Sequence, residues 1–231
     1  MPEHREIYAS HADQYELLVS HEDYESNILR ALNEITSFEA KDVVELGAGT
    51  GRLARLLAPA ARSIHALDAS PNMLEVAAAK FSGEGFRNWT VAAADHRSLP
   101  LADHCADIVI SGWSIVYLVV WHEATWMGEL SKGLAEMRRI LRPGGKLIIL
   151  ETLGTGHESP HPPDNLLDYF AFLEQQGFVS SWIRTDYRFD SLQEAETIVS
   201  GFFGDEMIGE LVEKDSITLP ECTGIWSLAI D

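Results

Sequence analysis

The chain has 231 residues, 46% of them hydrophobic, and a formal net charge of −19 from 36 acidic and 17 basic residues. This length is typical of one domain, and no run of about 18 apolar residues is present to form a transmembrane helix. Because so acidic a surface repels phosphate groups, nucleic acids and anionic membranes are not expected as partners. The polar N-terminus and two distant cysteines, Cys105 and Cys222, favour a cytoplasmic protein with reduced thiols.

Helix-like and strand-like patterns alternate along most of the chain. Two helices, over about 5–18 and 22–36, are predicted ahead of the first strand. The predicted strands are 42–47, 63–69, 89–95, 106–111 and 146–152, with helices at 52–61, 71–82, 122–141 and 164–176. After a loop at 153–163 we predict a sixth strand at 178–189, two short helices within 191–214 that are broken at Gly204, and a last strand at 222–230. The alternation indicates an α/β fold with a mostly parallel sheet and helices on both faces.

A glycine-rich turn follows the first predicted strand. Gly47, Gly49 and Gly51 stand at alternate positions, and an amphipathic helix begins near Arg52. A strand that turns through glycines into a helix forms a cradle of backbone N–H groups. Glu45 precedes this turn, and its carboxylate would repel a pyrophosphate but attract a ligand that carries an ammonium and a sulfonium. A dinucleotide fingerprint also needs a glycine where Arg52 stands.

The pattern Glu45-x-Gly47-x-Gly49-x-Gly51 resembles the first motif of the class I S-adenosylmethionine-dependent methyltransferases, in particular the ubiquinone-biosynthesis-like and small-molecule group. The resemblance covers about residues 40–152. It implies a Rossmann-like, seven-stranded, mostly parallel sheet whose last two strands are antiparallel, with S-adenosylmethionine as cofactor and S-adenosylhomocysteine as product. It further implies one domain over 1–231, composed of a helical lid at 1–38, a cofactor-binding core at 40–152 and a helical insertion at 190–220.

Acidic residues end the second and third predicted strands. Asp68 is placed to accept hydrogen bonds from both ribose hydroxyls, and either Met73 or Leu74 is expected to turn an apolar face to the adenine. By the resemblance, Asp95 receives the adenine amino group, and the backbone after it donates to a ring nitrogen. The resemblance also suggests a lid formed by Tyr8 and Tyr15. The predicted cofactor-binding residues are Tyr15, Glu45, Gly47, Ala48, Gly49, Gly51, Asp68, Ala69, Met73, Asp95, His96 and Ser111.

The fourth predicted strand ends near the expected position of the transferred methyl group. Trp113 and Tyr117 are predicted walls for a substrate, with core packing as the alternative for both rings. His157 and His161, in the loop after the fifth strand, are candidates for a general base, although histidines in such loops are often simply solvated. The sequence identifies no catalytic residue beyond these two. A metal site is not expected, because no third ligand stands at a fixed spacing.

These patterns predict methyl transfer to a small-molecule acceptor by in-line displacement, in a monomer or homodimer. One alternative is a non-catalytic module that binds the cofactor or regulates a partner, which the intact motifs disfavour. The other alternative is an NAD(P)-dependent oxidoreductase, which Glu45 and Arg52 disfavour. The acceptor atom, whether O, N, S or C, is left open by the sequence.

Overall fold

The computed structural model describes residues 12–204, 207–208, 211 and 217–230. Its strands, in chain order, are β1 (Asp42–Leu46), β2 (Ser63–Asp68), β3 (Trp89–Ala93), β4 (Ala106–Gly112), β5 (Leu141–Thr155), β6 (Val179–Arg184), β7 (Tyr187–Arg188), β8 (Thr218–Leu219) and β9 (Glu221–Ala229). The main sheet has seven strands in the order β3-β2-β1-β4-β5-β9-β6. Strands β1 to β5 pair in parallel, whereas β9 is antiparallel to both β5 and β6. The predicted fold is therefore confirmed, and β7 and β8 add a small antiparallel sheet.

Helices cover both faces of the main sheet. They are α1 (Ala12–Ser20), α2 (Asn27–Ile35), α3 (Arg52–Leu57), α4 (Pro71–Gly83), α5 (Tyr117–Val120), α6 (Trp126–Ile140), α7 (Leu167–Gln175) and α8 (Leu192–Phe203), with a 3-10 helix at Asp164–Leu166 before α7. Successive strand residues face opposite sides, so Val43 packs with the α2–α4 side and Val44 with the α6–α7 side. Both faces are thus apolar, as the continuous hydrophobic runs predicted. No helix among the described residues is long and apolar enough to cross a membrane.

The boundary between α6 and β5 differs from the prediction. The predicted helix at 122–141 corresponds to α6, which covers only Trp126–Ile140; the short helix α5 precedes the predicted range, and β5 already begins at Leu141. The sequence Arg142-Pro143-Gly144-Gly145 therefore lies within the strand, as an irregularity at which the register against β4 shifts. Gly144 has φ 79°, which lets the strand bend there. Arg142 forms ion pairs with Asp42 and Asp107.

The region predicted as a sixth strand, 178–189, divides into β6 and β7, which belong to different sheets. The small sheet, α8 and α1 share a third hydrophobic cluster that includes Leu18, Tyr187 and Ile198. Strand β7 packs in this cluster and pairs with β8, so it does not extend the edge of the main sheet. Helix α8 ends before Gly204, as expected. Most of the second short helix predicted after Gly204, and residues 1–11 including Tyr8, lie outside the described residues.

Candidate functional site

A cavity of about 550 Å³ lies beyond the carboxyl ends of the parallel strands. It sits near β1 and β4, where the chain order of the sheet reverses, which is the usual ligand site of open α/β sheets. Four loops and α1 contribute to its wall. The lining residues are Tyr15, Gly47, Gly49, Asp68, Ala69, Ser70, Pro71, Asn72, Ala94, Asp95, His96, Arg97, Gly112, Trp113, Ser114, Tyr117, Leu118, Trp121 and His122.

The glycine turn allows two loops to approach each other closely. Gly47 has φ 68°, and a Cβ atom there would lie 1.7 Å from the Oγ of Ser114. Gly51 serves a different purpose, because a Cβ atom there would lie 2.6 Å from the ring of Phe81 in α4. Gly47 therefore shapes the cavity, whereas Gly51 and the buried Ala48 serve packing and do not line it.

Glu45 lies beneath the glycine turn and does not line the cavity. Its side chain is 2% exposed, and its Oε2 accepts a hydrogen bond of 2.8 Å from the backbone N–H of Ala54. Ala54 is in the first turn of α3, whose N-cap Gly51 has no side chain to satisfy that N–H. Burial raises the pKa of Glu45 to about 8, so the carboxyl is protonated at neutral pH. The expected attraction between a Glu45 charge and a positive ligand is thus not supported by this geometry.

Asp68, at the end of β2, lines the cavity and connects two of its loops. Its Oδ2 accepts from the N–H of Gly49 at 2.8 Å, and its Oδ1 accepts from the N–H of Ser70 at 2.7 Å. Burial raises the pKa of the Asp68 carboxyl. Ala69 lines the cavity beside it, as predicted. Met73, however, is 1% exposed and packs in the core, and Asn72 takes the expected place on the cavity wall.

Asp95 lines the cavity as one member of an ion pair. The Nε of Arg97 donates to its Oδ1 at 2.8 Å, and the Nη2 of Arg97 donates to its Oδ2. These hydrogen bonds from Arg97 lower the pKa of Asp95 to about 2. Arg97 also pairs with Glu129 of α6. Asp95 is therefore held in one orientation by an arginine that the sequence analysis did not single out.

His96 and Ser114 form an uncharged polar pair in the cavity wall. The Nε2 of His96 lies 3.0 Å from the Oγ of Ser114. Burial lowers the pKa of His96 to about 4, so its ring is neutral at physiological pH. From the sequence, only a backbone role was expected of His96. Its side-chain partner stands 18 residues later in the chain, and no local spacing indicates that pairing.

Trp113 adopts a left-handed backbone conformation beside the cavity. Its φ is 50°, which is uncommon for a bulky side chain, and its N–H donates to the carbonyl oxygen of Leu150 at 2.7 Å. The Arg52 guanidinium lies 4.6 Å from the centre of the Trp113 ring. Tyr117 also lines the cavity, and its ring stacks on Trp121 at 4.5 Å. The two predicted wall residues therefore reach the cavity rather than serving only the core.

Neither His157 nor His161 lines the cavity. Their rings stack on each other at 4.2 Å. The backbone of the segment folds back along β5, since the N–H of His161 donates to the carbonyl oxygen of Leu153, while the carbonyl oxygen of His157 accepts from Cys222. The two candidate bases thus lie at the end of the sheet and outside the cavity.

Comparison with known proteins identifies the fold and its family. Residues 44–149 match the family model described as a methyltransferase domain. Residues 44–149 therefore belong to the methyltransferase domain family, in agreement with the class I S-adenosylmethionine-dependent methyltransferase that the motifs predicted. This domain class uses S-adenosylmethionine as its cofactor, as the glycine turn and the two strand-ending aspartates predicted.

Two curated relatives match this chain over only part of their own length. Over 127 residues the chain is 32% identical to malonyl-[acyl-carrier protein] O-methyltransferase of Pectobacterium atrosepticum, covering 55% of this chain and 44% of that protein. Over 109 residues it is 34% identical to a ubiquinone/menaquinone biosynthesis C-methyltransferase of Rubrivivax gelatinosus, covering 47% and 38%. The chain thus spans less than half the length of these two curated relatives.

A solved structure shares the fold over nearly the whole chain. The crystal structure of a SAM-dependent methyltransferase from Aquifex aeolicus matches with a TM-score of 0.60 and 18% identity, covering 95% of this chain and 98% of that one. At this identity the likeness concerns the fold alone.

The cavity of the methyltransferase domain brings together about half of the predicted site residues. Those that line it are Tyr15, Gly47, Gly49, Asp68, Ala69, Asp95, His96, Trp113 and Tyr117. Those that do not are Glu45, Ala48, Gly51, Met73, Ser111, His157 and His161. Ser111 is fully buried within β4. Apart from Tyr15 and Tyr117, which lie in helices, the residues of the first group lie at or follow strand ends and were predicted from that position. No sequence pattern indicated Arg97, Ser114 or Trp121.

Proposed function

We propose that this protein transfers a methyl group from S-adenosylmethionine to a small-molecule acceptor bound in the same cavity. One observation carries the proposal: a single cavity joins the glycine turn and two strand-ending aspartates to a wall of aromatic side chains. Its volume of about 550 Å³ is within the range of small-molecule sites. The names of the two curated relatives, which refer to a malonyl group and to quinone biosynthesis, support an acceptor of this kind.

The cavity residues fit the cofactor. Gly47 and Gly49 both line the cavity: the space beside Gly47 is occupied by Ser114, and Gly49 presents bare backbone to the cavity, where a Cβ atom would lie 3.7 Å from the Tyr15 ring. We infer that Asp68 accepts a hydrogen bond from the ribose, since a carboxylate has about four acceptor positions and the backbone N–H groups of Gly49, Ser70 and Ala69 take no more than three of them. Asp95, held by Arg97, is placed at the next strand end, where we infer that it receives the adenine amino group.

The residues of the cavity contribute mainly alignment and exclusion of water. S-adenosylmethionine supplies an activated methyl group on a sulfonium when it is bound. The Trp113 and Tyr117 rings line the acceptor side, so they restrict the orientation of an acceptor and reduce its contact with water. For an acceptor that loses a proton, His96 offers a neutral imidazole, hydrogen-bonded through Nε2 to Ser114.

We infer further that residues 1–38 act as a lid on a single domain, with 190–220 as an insertion that supports them. Helix α1 carries Tyr15 to the cavity and packs with α8 in the third hydrophobic cluster. Two ion pairs attach this segment to the core: Glu16 with Lys80 at 2.6 Å, and Glu22 with Arg52 at 2.5 Å.

Cofactor binding is tested by thermal unfolding. A ligand that binds only the folded protein stabilises it by about 2.7 kcal/mol at a concentration one hundredfold above its Kd. We expect S-adenosylmethionine and S-adenosylhomocysteine to raise the melting temperature, and NADH and NADPH to leave it unchanged. Stabilisation by a nicotinamide cofactor alone would overturn the proposal.

Asp68→Asn tests the central residue of the proposed site. The amide retains one acceptor oxygen, so its NH2 group must face the N–H of either Gly49 or Ser70. We expect the affinity for S-adenosylhomocysteine, measured by calorimetric titration, to fall at least about tenfold, equivalent to about 1.4 kcal/mol. Asp190→Asn, at an exposed position before α8, is the matched control and should bind normally. Equal affinities in the two variants would remove the role assigned to Asp68.

A further inference from the structure

The side chain of Arg52 lies between the proposed lid and the wall of the cavity. Arg52 begins α3, directly after the glycine turn. Its Nη1 donates to the Oε2 of Glu22, in the loop after α1, at 2.5 Å. Its guanidinium also lies over the Trp113 ring, 4.6 Å from the ring centre. Trp113 lines the cavity, whereas Glu22 and Arg52 do not. Arg52 is thus in contact with one residue of the lid and one residue of the cavity.

Glu22 is held by the small antiparallel sheet. Its backbone pairs with Tyr187 of β7 in an isolated antiparallel bridge, and the Tyr187 hydroxyl hydrogen-bonds its carboxylate. The Glu22 side chain is only 4% exposed. Leu18 of α1 and Tyr187 belong to the same hydrophobic cluster. The position of the Glu22 carboxylate is therefore set by the packing of the lid on the small sheet.

The ion pair between Glu22 and Arg52 is incomplete as a stabilising contact. An arginine can offer a carboxylate two parallel hydrogen bonds, but here only the Nη1 of Arg52 donates to Glu22. Among the residues that the structure describes, the buried Nη2 of Arg52 and Oε1 of Glu22 have no hydrogen-bond partner, and such atoms lower stability. The guanidinium instead lies over the Trp113 ring, because a desolvated cation is attracted to the face of an indole.

Trp113 is a bulky residue in an unfavourable backbone conformation. Its φ of 50° is costly and persists where the surrounding structure enforces it. The hydrogen bond from its N–H to Leu150 fixes the backbone, but leaves the side-chain torsions free. Those torsions are restrained by packing on the α2–α4 side of the sheet and by the Arg52 guanidinium. A ring held in one rotamer keeps the shape of the cavity constant, and with it the orientation of a bound acceptor.

We propose that Arg52 is a positioning residue through which the lid and the small sheet set the orientation of the Trp113 ring in the cavity. This inference rests on the function proposed above, and it gives the lid a second role besides covering the cavity. The cavity wall has its correct shape only when Glu22 is docked against Arg52. Since neither Glu22 nor Arg52 lines the cavity, both act through Trp113.

Fluorine NMR of protein labelled with 5-fluorotryptophan tests this connection. The chain has six tryptophans, and Trp113→Phe identifies the Trp113 signal. Glu22→Gln weakens the hold on the guanidinium, so it should shift the Trp113 signal by more than its line width. Arg52→Met should shift it too, and adding Glu22→Gln to Arg52→Met should cause no further change. A signal that does not respond to Glu22→Gln, or shifts that add in the double variant, would show that Arg52 does not connect the two residues.

Glu16→Gln is the matched control. It makes the same change in the other ion pair between the lid and the core, in which Glu16 contacts Lys80 at 2.6 Å. Neither of these residues lines the cavity, so the Trp113 signal should stay in place. An equal shift in Glu16→Gln and Glu22→Gln would mean that general loosening of the lid moves the ring, and the role of Arg52 would be wrong.

The remaining five tryptophan signals report whether each variant is folded. If Glu22→Gln folds poorly, Tyr187→Phe is the milder change, because it removes only the hydroxyl that holds Glu22. The Trp113 signal should shift in this variant as well. An unchanged signal there contradicts the inference in the same way.

Titration with S-adenosylhomocysteine separates the two proposals. The fluorine spectra are recorded without ligand, so they decide the role of Arg52 whether or not the cofactor binds. If the wild-type protein does not bind S-adenosylhomocysteine, the proposed function fails. If it binds, but the Trp113 signal ignores Glu22→Gln, only the role of Arg52 is wrong.

Discussion

Gly47 is the residue at which the glycine turn meets the loop after β4, through Ser114. The space that a Cβ atom would take is filled by the Ser114 side chain, whose hydroxyl pairs with His96. Glycine is therefore needed at this position for two reasons: its backbone has a left-handed φ of 68°, and a side chain would overlap Ser114. The sequence pattern predicted the glycine but not what lies against it.

Gly47→Ala should damage both stability and cofactor binding. The combined steric overlap and backbone strain is expected to lower the free energy of unfolding by about 1–3 kcal/mol. It should also displace Ser114, so we expect the affinity for S-adenosylhomocysteine to fall more than about tenfold. Urea unfolding and calorimetric titration measure the two effects.

Gly128→Ala is the matched control for that substitution. Gly128 lies in α6, and no atom lies within 4 Å of the position where its Cβ would be. Alanine should raise the free energy of unfolding by about 0.5–1 kcal/mol through its helix propensity. If Gly47→Ala is as well tolerated as Gly128→Ala, the close contact with Ser114 has no energetic importance.

At the scale of elements, α8 joins α1 and the small sheet in a cluster apart from the main core. Ser191 caps α8, because its Oγ accepts from the N–H of Glu194 at 3.2 Å. Glu194 in turn accepts from the N–H of Asp190 at 2.8 Å. These reciprocal bonds satisfy backbone donors at the start of the helix.

Ser191→Ala should therefore lower the free energy of unfolding by about 0.5–2 kcal/mol. Thr197→Ala, at an exposed site in the same helix, removes a similar hydroxyl that has no capping role. Alanine there should be neutral or slightly stabilising. Urea unfolding of both variants is the measurement, and equal stabilities would show that the cap does not matter.

The strands differ in how well the sequence predicted them. Apolar runs predicted β1, β2 and β4 to within about two residues, because strands buried on both faces need such runs whatever packs on them. The division of 178–189 into β6 and β7 was not predictable in this way. It depends on contacts between β7 and residues such as Leu18, far away in the chain.

At the scale of the whole molecule, the buried acids make stability depend on pH. Burial raises the pKa of Glu45, Glu151 and Glu221 to about 8 each, from the ordinary glutamate value of 4.5. Between these values the folded protein keeps protons that the unfolded chain has lost. The stabilisation is thus complete below about pH 4.5 and is lost as the pH rises through about 8.

We expect the free energy of unfolding to fall between about pH 5 and pH 8, by about 1.4 kcal/mol per pH unit for each such carboxyl. Glu151→Gln should flatten this dependence. Its amide oxygen can still accept from the N–H of Val116 and the hydroxyl of Tyr169, as the carboxyl does. Urea unfolding at several pH values measures the slope, and an unchanged slope in Glu151→Gln would contradict the assignment.

High salt separates this effect from the net charge of −19. Repulsion between exposed carboxylates is screened at about 0.5 M salt, whereas the desolvation of a buried carboxyl is not. The slope contributed by Glu151 should therefore persist in both buffers. A slope that disappears in high salt would assign the pH dependence to the surface.

The sequence by itself determined the order of the core elements, the glycine turn and the aspartates at the ends of β2 and β3. These features depend on local periodicity and on the need for glycine in a backbone turn. Both can be recognised within a short stretch of sequence. Only the tertiary structure decided that Glu45 is a neutral cap, that Arg97 holds Asp95, and that His157 and His161 lie outside the cavity. The physical reason is that burial and ion pairing join residues distant in the chain, so no local pattern records them.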